Sequence, residues 1–473
     1  MLGLTPQETA QVLGGDWLGS GDLPPLRGVV TDSRRVQPGD LFVALPGART
    51  DGHRFLGEAQ ARGAGAALVV PDRGQRPPGL PVILVPDPLQ ALGQLAAQHR
   101  RRLRATVLGI SGTVGKTTAK DFLATLLGGP AQGCYAAPAS FNSESGLPQA
   151  VLATPLDADF LVLEYGINAP GEMARLVDMA RPDHAWLTAL TEVHLEGMGD
   201  FETICREKSI LAEAVPEGGR VYLGADCGES VVPWNQRWCA RTTLLDDLRD
   251  GGGHYLRDQP GDYHIRLPDL GEFRLPLLAR HEVELFAGAA RIAADCGVKP
   301  DQLAARCAQL RRPPGRLSWH RWPRLSVVDD AYNASPAAMV AALDVLCQLP
   351  GSGRRVAVLG TMREMGPRTQ AVHQALGPEL ASRPLDLLIG VGRGGAWMAQ
   401  AAQEAGFSAP IRQVEDAAEA EALLQEELQD GDQILLKASR AVGLDRLLTF
   451  LEAWAQPASA TLESRPDPQE GAA

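Results

Sequence analysis

The chain of 473 residues is short of several things at once: aromatic residues make up only 5%, and no stretch reaches the roughly 20 apolar residues that would span a bilayer. Membrane insertion is therefore not expected. Its seven cysteines, Cys134, Cys205, Cys227, Cys239, Cys296, Cys307 and Cys347, include no C-x-x-C pair. That spacing suggests neither a zinc site nor a disulfide framework and fits a reducing compartment. A basic excess is also missing, since the net charge is -12. Holding a nucleic-acid backbone needs a broad basic face, so nucleic acid is excluded as a partner and any anionic ligand must be held locally. The N-terminal stretch "MLGLTPQETAQVLGGDWLG" lacks a basic run followed by an unbroken apolar segment, and a cytoplasmic location is expected.

What is present is the composition of an ordinary multi-domain protein, 45% apolar and 22% charged. At roughly 100–200 residues per domain the length suggests about three domains. Residues 1–103 read as a small α/β unit. Short apolar runs at Val29-Val30 and Leu41 to Leu45 are separated by the turn signal Gln37-Pro38-Gly39-Asp40, and an amphipathic, basic-ended helix, "PLQALGQLAAQHRRRLR", closes the unit. Residues 104–312 form a second unit, in which the strand-like runs "ATVLGI", "DFLVLEYG", "HAWLTAL" and "GRVYLG" alternate with helical stretches, the order of a parallel sheet. Residues 313–456 repeat that order with "LSVVDDAY", "RRVAVLG", "LDLLIGVG" and "DQILLKAS", and 457–473 read as a disordered tail. The expected fold class is α/β with three domains: a small N-terminal α/β domain, a central P-loop mononucleotide-binding parallel sheet and a C-terminal Rossmann-like domain.

The segment "GISGTVGKTTAK" lies directly after the first strand of the second unit. The usual P-loop, Gly-x-x-x-x-Gly-Lys-Thr, would require glycine at position 110, where the chain has Ile110. Its glycines are instead Gly109, Gly112 and Gly115, immediately ahead of Lys116, Thr117 and Thr118. A glycine-rich loop opening a helix aims backbone N–H groups and the positive helix end at an anion. Lys116 adds charge for the outer phosphates and Thr117 a hydroxyl for Mg²⁺. Glu164 ends an apolar run at the tip of a neighbouring strand, where a carboxylate faces the loop and offers a second metal ligand. His194, after the next strand of the same sheet, is placed to reach the same point.

The spacing of these glycines resembles the ATP loop of the Mur ligase family, the ATP-dependent amide-forming enzymes of bacterial cell-wall synthesis. "TDSRRVQPGDLFVALPGARTDGHRFL" is similar to the family's uridine-nucleotide domain. "FNSESGLP", "LEYGINAPGEM", "HLEGMGDFETICREKS", "VVDDAYNASPAAM" and "VLGTMREMG" resemble its MurF-type branch, which adds D-alanyl-D-alanine to UDP-N-acetylmuramoyl-tripeptide. The Asp-Asn-Pro-Arg motif of MurE-type ligases is absent.

The resemblance implies ATP and Mg²⁺ as cofactors, with Gly112, Thr113, Gly115, Lys116, Thr117 and Thr118 around the phosphates and Thr117, Glu164 and His194 around the metal. It implies that Lys208 is the lysine carbamoylated in several relatives to make an extra metal-binding carboxylate, and that Lys116, Lys208 and His194 serve catalysis. Arg316, Asp330 and Asn333 would close over the nucleotide, while Asn142, Tyr332, Lys437, Ser439 and Arg440 would meet the incoming substrates or phosphates. Ser33 and Arg34 would bind the uridine nucleotide. It further implies a monomer and an acyl phosphate intermediate. Four places depart from the family pattern: Glu282 and Leu285 stand at the two asparagine positions of the adenine-contacting segment, Thr361 at an aspartate, Ser143 at an asparagine, and Ala438 and Ala441 at glycines. Three rival readings stay open: another ligase of the superfamily (MurE-type or folylpolyglutamate-synthase-like), a P-loop ATPase without ligase activity, and a catalytically dead UDP-sugar-binding scaffold.

Overall fold

The computed structural model describes residues 3–47, 50–138, 141–191, 195–227, 242–249 and 252–456. The expected tail, 457–473, lies outside them. Four sheets organise the chain, and their order along the sequence follows from where apolar runs give way to turn residues.

The first sheet contains β1 (Asp16–Leu18), β2 (Val29–Val30), β3 (Leu41–Val43), β4 (Ala66–Val69) and β5 (Val82–Leu84), in the order β1-β5-β4-β3-β2, parallel except for β1 at one edge. The helix Pro88–Arg102 follows, with Asp87 accepting from the N–H groups of Leu89 and Gln90 and Pro88 in its first turn. Its last turn carries His99, Arg100, Arg101 and Arg102, the sign that complements a helix C-terminus. Leu92, Leu95 and Ala96 of this helix belong to one apolar cluster shared by the first and second sheets, so the two units pack without a water layer between them.

The second sheet is fully parallel: β6 (Thr106–Ser111), β7 (Cys134–Ala136), β8 (Phe160–Glu164), β9 (His184–Leu187), β10 (Val221–Gly224) and β11 (Thr242–Leu245), in the order β11-β10-β9-β6-β8-β7. Helices cover both faces, which is why β6 and β8 are nearly continuous apolar runs rather than alternating ones. An antiparallel sheet of β12 (His254–Arg257), β13 (Tyr263–Leu267) and β14 (Gly271–Leu275), not anticipated from the sequence, backs the helices Lys116–Leu126 and Arg280–Asp295 through Tyr263, Ile265 and Phe273.

The fourth sheet, β15 (Ser318–Arg321), β16 (Ser326–Asp330), β17 (Arg355–Gly360), β18 (Leu387–Val391), β19 (Ile411–Val414) and β20 (Gln433–Lys437), runs β15-β16-β20-β17-β18-β19 and is parallel apart from the edge strand β15. Successive residues feed opposite layers: Val328, Ala357, Leu359 and Leu435 pack on one side, Val327, Val356, Val358, Ile434 and Leu436 on the other. The carboxyl ends of β6, β8 and β9 and those of β16 and β20 border one cavity of about 580 Å³.

Candidate active site

The loop after β6 takes a conformation that its glycines alone allow. Gly112 has φ +146°, and a Cβ there would fall 2.2 Å from Oγ1 of Thr188. Gly115, at φ +79°, caps the helix that begins at Lys116. Thr188, just beyond β9, donates to the Val114 carbonyl at 2.6 Å, while Thr113 donates its N–H to the Ala189 carbonyl at 2.8 Å. These bonds tie the loop to the neighbouring strand and preset it for an anion. The Lys116 ammonium turns back and donates to the carbonyls of Gly112 (2.9 Å) and Thr113 (3.1 Å). Burial holds its pKa below the ordinary lysine value; Glu164 and Glu364 oppose that effect and Arg316 adds to it.

Beside the lysine, the Thr117 hydroxyl donates to one oxygen of Glu164 at 2.8 Å and the Asn142 amide donates to the other at 2.7 Å. Glu164 is 1% exposed. A hydroxyl and a carboxylate at the base of a phosphate-type loop form a hard oxygen donor set, which fits Mg²⁺ better than a softer metal. Lys208, on the helix Phe201–Glu213, is buried. Its pKa lies well below the ordinary lysine value, chiefly through burial and then through repulsion from Lys116, with Glu164 acting the other way.

The opposite wall comes from the fourth sheet. Lys437, at the end of β20, is 1% exposed and meets Asp330, at the end of the adjacent β16, at 2.5 Å. Its ammonium also donates to the Asn333 carbonyl at 2.9 Å. The second Asp330 oxygen accepts from the Leu317 N–H at 3.1 Å, fixing the turn that carries Arg316. The Arg316 guanidinium lies 4.4 Å from the Tyr332 ring centre and that of Arg440 5.2 Å from it, both in cation–π contact. Ser439 accepts from the Arg363 N–H at 2.9 Å, which anchors the loop after β17.

The cavity thus gathers Thr113, Gly115, Lys116, Thr117, Thr118, Asn142, Glu164, Arg316, Asp330, Tyr332, Asn333 and Lys437. Gly112, Lys208, Ser439 and Arg440 are not among the lining residues, although Arg440 packs on Tyr332, which is. His194 lies outside the described residues. Ser33 and Arg34 are elsewhere: Ser33 is buried and donates to Glu58 at 2.7 Å, and Arg34 is exposed and paired with Asp32 at 2.8 Å.

Glu282 borders the cavity, but the expectation of an adenine contact meets an obstacle. One of its oxygens accepts from the N–H groups of Leu278 (2.8 Å) and Ala279 (3.2 Å), capping its own helix, and the other accepts from Arg312 at 2.8 Å. Its carboxylate thus also serves the cap of its own helix. Thr361, standing where the family pattern has aspartate, accepts from the Gly394 N–H at 3.1 Å through its hydroxyl. Sequence reasoning missed Thr188, which fastens the loop, and Arg363 and Glu364, which line the cavity from the loop after β17. Their only signal was position just past a buried strand.

Comparisons with known proteins converge on one family. Residues 25–100 match the Mur ligase family catalytic domain, 110–250 the Mur ligase middle domain and 315–440 the Mur ligase glutamate ligase domain. The UDP-N-acetylmuramoyl-tripeptide--D-alanyl-D-alanine ligase of Escherichia coli is 32% identical over 83% of this chain and 87% of its own length. The ligase of the same name from Bacillus subtilis is 32% identical over 90% and 93%. Among solved structures, MurF from Acinetobacter baumannii superposes with a TM-score of 0.79 at 26% identity, covering 95% of this chain and 98% of that one. MurF from Thermotoga maritima, solved in complex with ADP, gives 0.73 at 28% identity over 90% and 97%. With a phosphate-type loop on one wall of the cavity, a cationic wall opposite and relatives matched along nearly the whole length, this chain belongs to the Mur ligase family.

Proposed function

We propose that the protein joins D-alanyl-D-alanine to UDP-N-acetylmuramoyl-tripeptide at the expense of ATP, as a peptidoglycan-precursor ligase. The observation that carries this reading is the single cavity whose two walls come from two different sheets, with Lys116 on one and Arg316 with the Asp330–Lys437 pair on the other. A carboxylate does not condense with an amine in neutral water, because oxide is a poor leaving group. In the proposed reaction the terminal tripeptide carboxylate attacks the γ-phosphorus of ATP, and ADP leaves. The dipeptide amine then attacks the acyl carbon of the acyl phosphate, inorganic phosphate leaves with the C–O bond electrons, and the nitrogen loses a proton to solvent.

Backbone N–H groups of the 112–118 loop and the Lys116 ammonium stabilise charge on the transferred phosphoryl oxygens, which is a matter of positioning and electrostatics. Arg316 approaches the same charge from the other wall. Thr117 and Glu164 would hold Mg²⁺, which would neutralise phosphate charge when bound. Burial lowers the Lys208 pKa and so favours the neutral amine, the form that adds to carbon dioxide; its carbamoylation belongs to this proposal, as does a metal role for His194. We assign Ser33 and Arg34 to the uridine nucleotide, domain limits near residues 103 and 312, a monomeric state and a cytoplasmic location. Among the described residues no helix is long and apolar enough to cross a membrane.

The test is phosphate release with ATP, Mg²⁺, the UDP-tripeptide and D-alanyl-D-alanine, each omitted in turn, with mass analysis of the product. Release that needs all four, with the UDP-pentapeptide formed, supports the ligase. Hydrolysis indifferent to the dipeptide favours the ATPase reading, and consumption of a different amine another ligase of the superfamily.

A further inference from the structure

Glu282 already accepts from two backbone N–H groups and from Arg312, and another end of the cavity offers groups with the chemistry to recognise a nucleobase. On the side of the loop where Gly115 meets Leu285, a Cβ on the glycine would lie 3.0 Å from that leucine. Leu245, the last residue of β11, and Trp186, in β9, both pack on Gly288 one turn further along the same helix. Leu285, Leu245 and Trp186 line the cavity together and form an apolar slot of the kind that accepts a flat heterocycle.

Two carboxylates border this slot, Glu284 and Asp226. Arg249 bridges them, donating to Asp226 at 2.6 Å and to Glu284 at 2.9 Å. The bridge fixes both carboxylates, and each retains lone pairs for a further donor. A second, independent observation points to a ligand here. Trp186 is 3% exposed, and its indole N–H has no hydrogen-bond partner among the described residues, an unmet donor of the kind that a purine ring nitrogen satisfies.

We propose that Glu284 reads the nucleobase, accepting a hydrogen bond from the 6-amino group of adenine, with Arg249 and Asp226 bracing it. This rests on the ATP-dependent ligase reading and adds to it the residue that sets nucleotide specificity. A 6-oxo base would set an acceptor against a carboxylate, so adenine nucleotides are selected over hypoxanthine nucleotides.

The experiment is calorimetric titration of the full chain with ADP and with IDP, which differ only at that position and its ring proton. The wild type is expected to bind ADP about 10–100-fold more tightly, the range for one hydrogen bond to a charged group. In Glu284→Gln, whose amide both accepts and donates, the ADP/IDP ratio should fall to within about threefold. Asp226→Asn disturbs the same Arg249 bridge and should leave the ratio near that of the wild type, which separates reading from bracing. A wild-type ratio near one, an unchanged ratio in a folded Glu284→Gln, or a collapse confined to Asp226→Asn would each overturn the assignment. If ADP binds and UDP-pentapeptide forms while the ratio does not move, only this inference fails; if no adenine nucleotide binds, the ligase reading fails with it.

Discussion

Lys116 and Lys437 stand on opposite walls of one cavity, each at the carboxyl edge of a parallel sheet, and they are held in different ways. Lys116 bonds to two carbonyls of its own loop, groups that a phosphate oxygen can replace without leaving a buried charge unpaired. Lys437 is locked against Asp330 and the Asn333 carbonyl, 1% exposed, and its charge is already neutralised. On the function proposed above, the first is a cation kept for the ligand. The second is a cation that fixes the shape of the wall, because the same Asp330 holds the Leu317 N–H beside Arg316. Two similar-looking lysines after buried strands therefore do different work, and the partner within reach decides which.

Four experiments would break or sharpen this contrast. Lys116→Ala should lower the rate of phosphate release by about 10³-fold, the scale of losing a preorganised charge at a developing anion, with little change in the unfolding midpoint. A large drop in stability together with retained turnover would reverse the roles assigned here. Lys437→Met should instead destabilise the fold by about 3–5 kcal/mol by stranding the Asp330 carboxylate, and the double variant with Asp330→Asn should recover much of that. Urea unfolding of the three proteins checks it, and a single variant as stable as the wild type would show the pair to be dispensable.

A smaller effect separates buried neutral groups from both lysines. Burial depresses the pKa of His99 and of His373, with the bonds to the Thr154 and Thr369 carbonyls acting in the opposite direction. Below the ordinary value of 6.5 the unfolded chain takes up protons that the native state refuses. Stability is therefore expected to be full above about pH 6.5 and to fall as pH drops through the depressed folded values. Denaturation at pH 8 and pH 5.5 reads this slope, and His99→Gln should flatten it; an unaltered slope would exclude His99 as a contributor. Smallest of all, Arg34→Ala removes an exposed pair with Asp32 and should leave the unfolding midpoint almost unchanged. A raised KM for the UDP-tripeptide alone would support the uridine assignment of this region, and an unchanged KM would remove it.

How legible each part was follows from the range of the interactions that define it. The loop of residues 109–118 was readable because its chemistry is local: glycines permit the left-handed backbone, and Lys116 and Thr117 follow them on the first helical turn. The strands of the second and fourth sheets were readable because parallel strands covered on both faces must be apolar throughout. The antiparallel β12–β14 sheet was not, since its strands are only four or five residues long and sit beside turns, too short for the alternation of Tyr263, Ile265 and Leu267 with His264 and Arg266 to stand out.

The sequence by itself determined the α/β class, the phosphate loop, the placement of Glu164 at a strand tip and, through motifs spread over three units, the family. Only the tertiary structure decided which charged side chains are engaged and with whom. Lys437 finds Asp330 across 107 residues of chain, Glu282 turns back to cap its helix and takes Arg312, and Arg249 joins Asp226 to Glu284. A charge pattern along a chain shows that a carboxylate is present. Whether it is free for a ligand depends on the donors that folding brings within about 3 Å, and hydrogen-bond geometry of that kind is fixed only by the packed arrangement of elements.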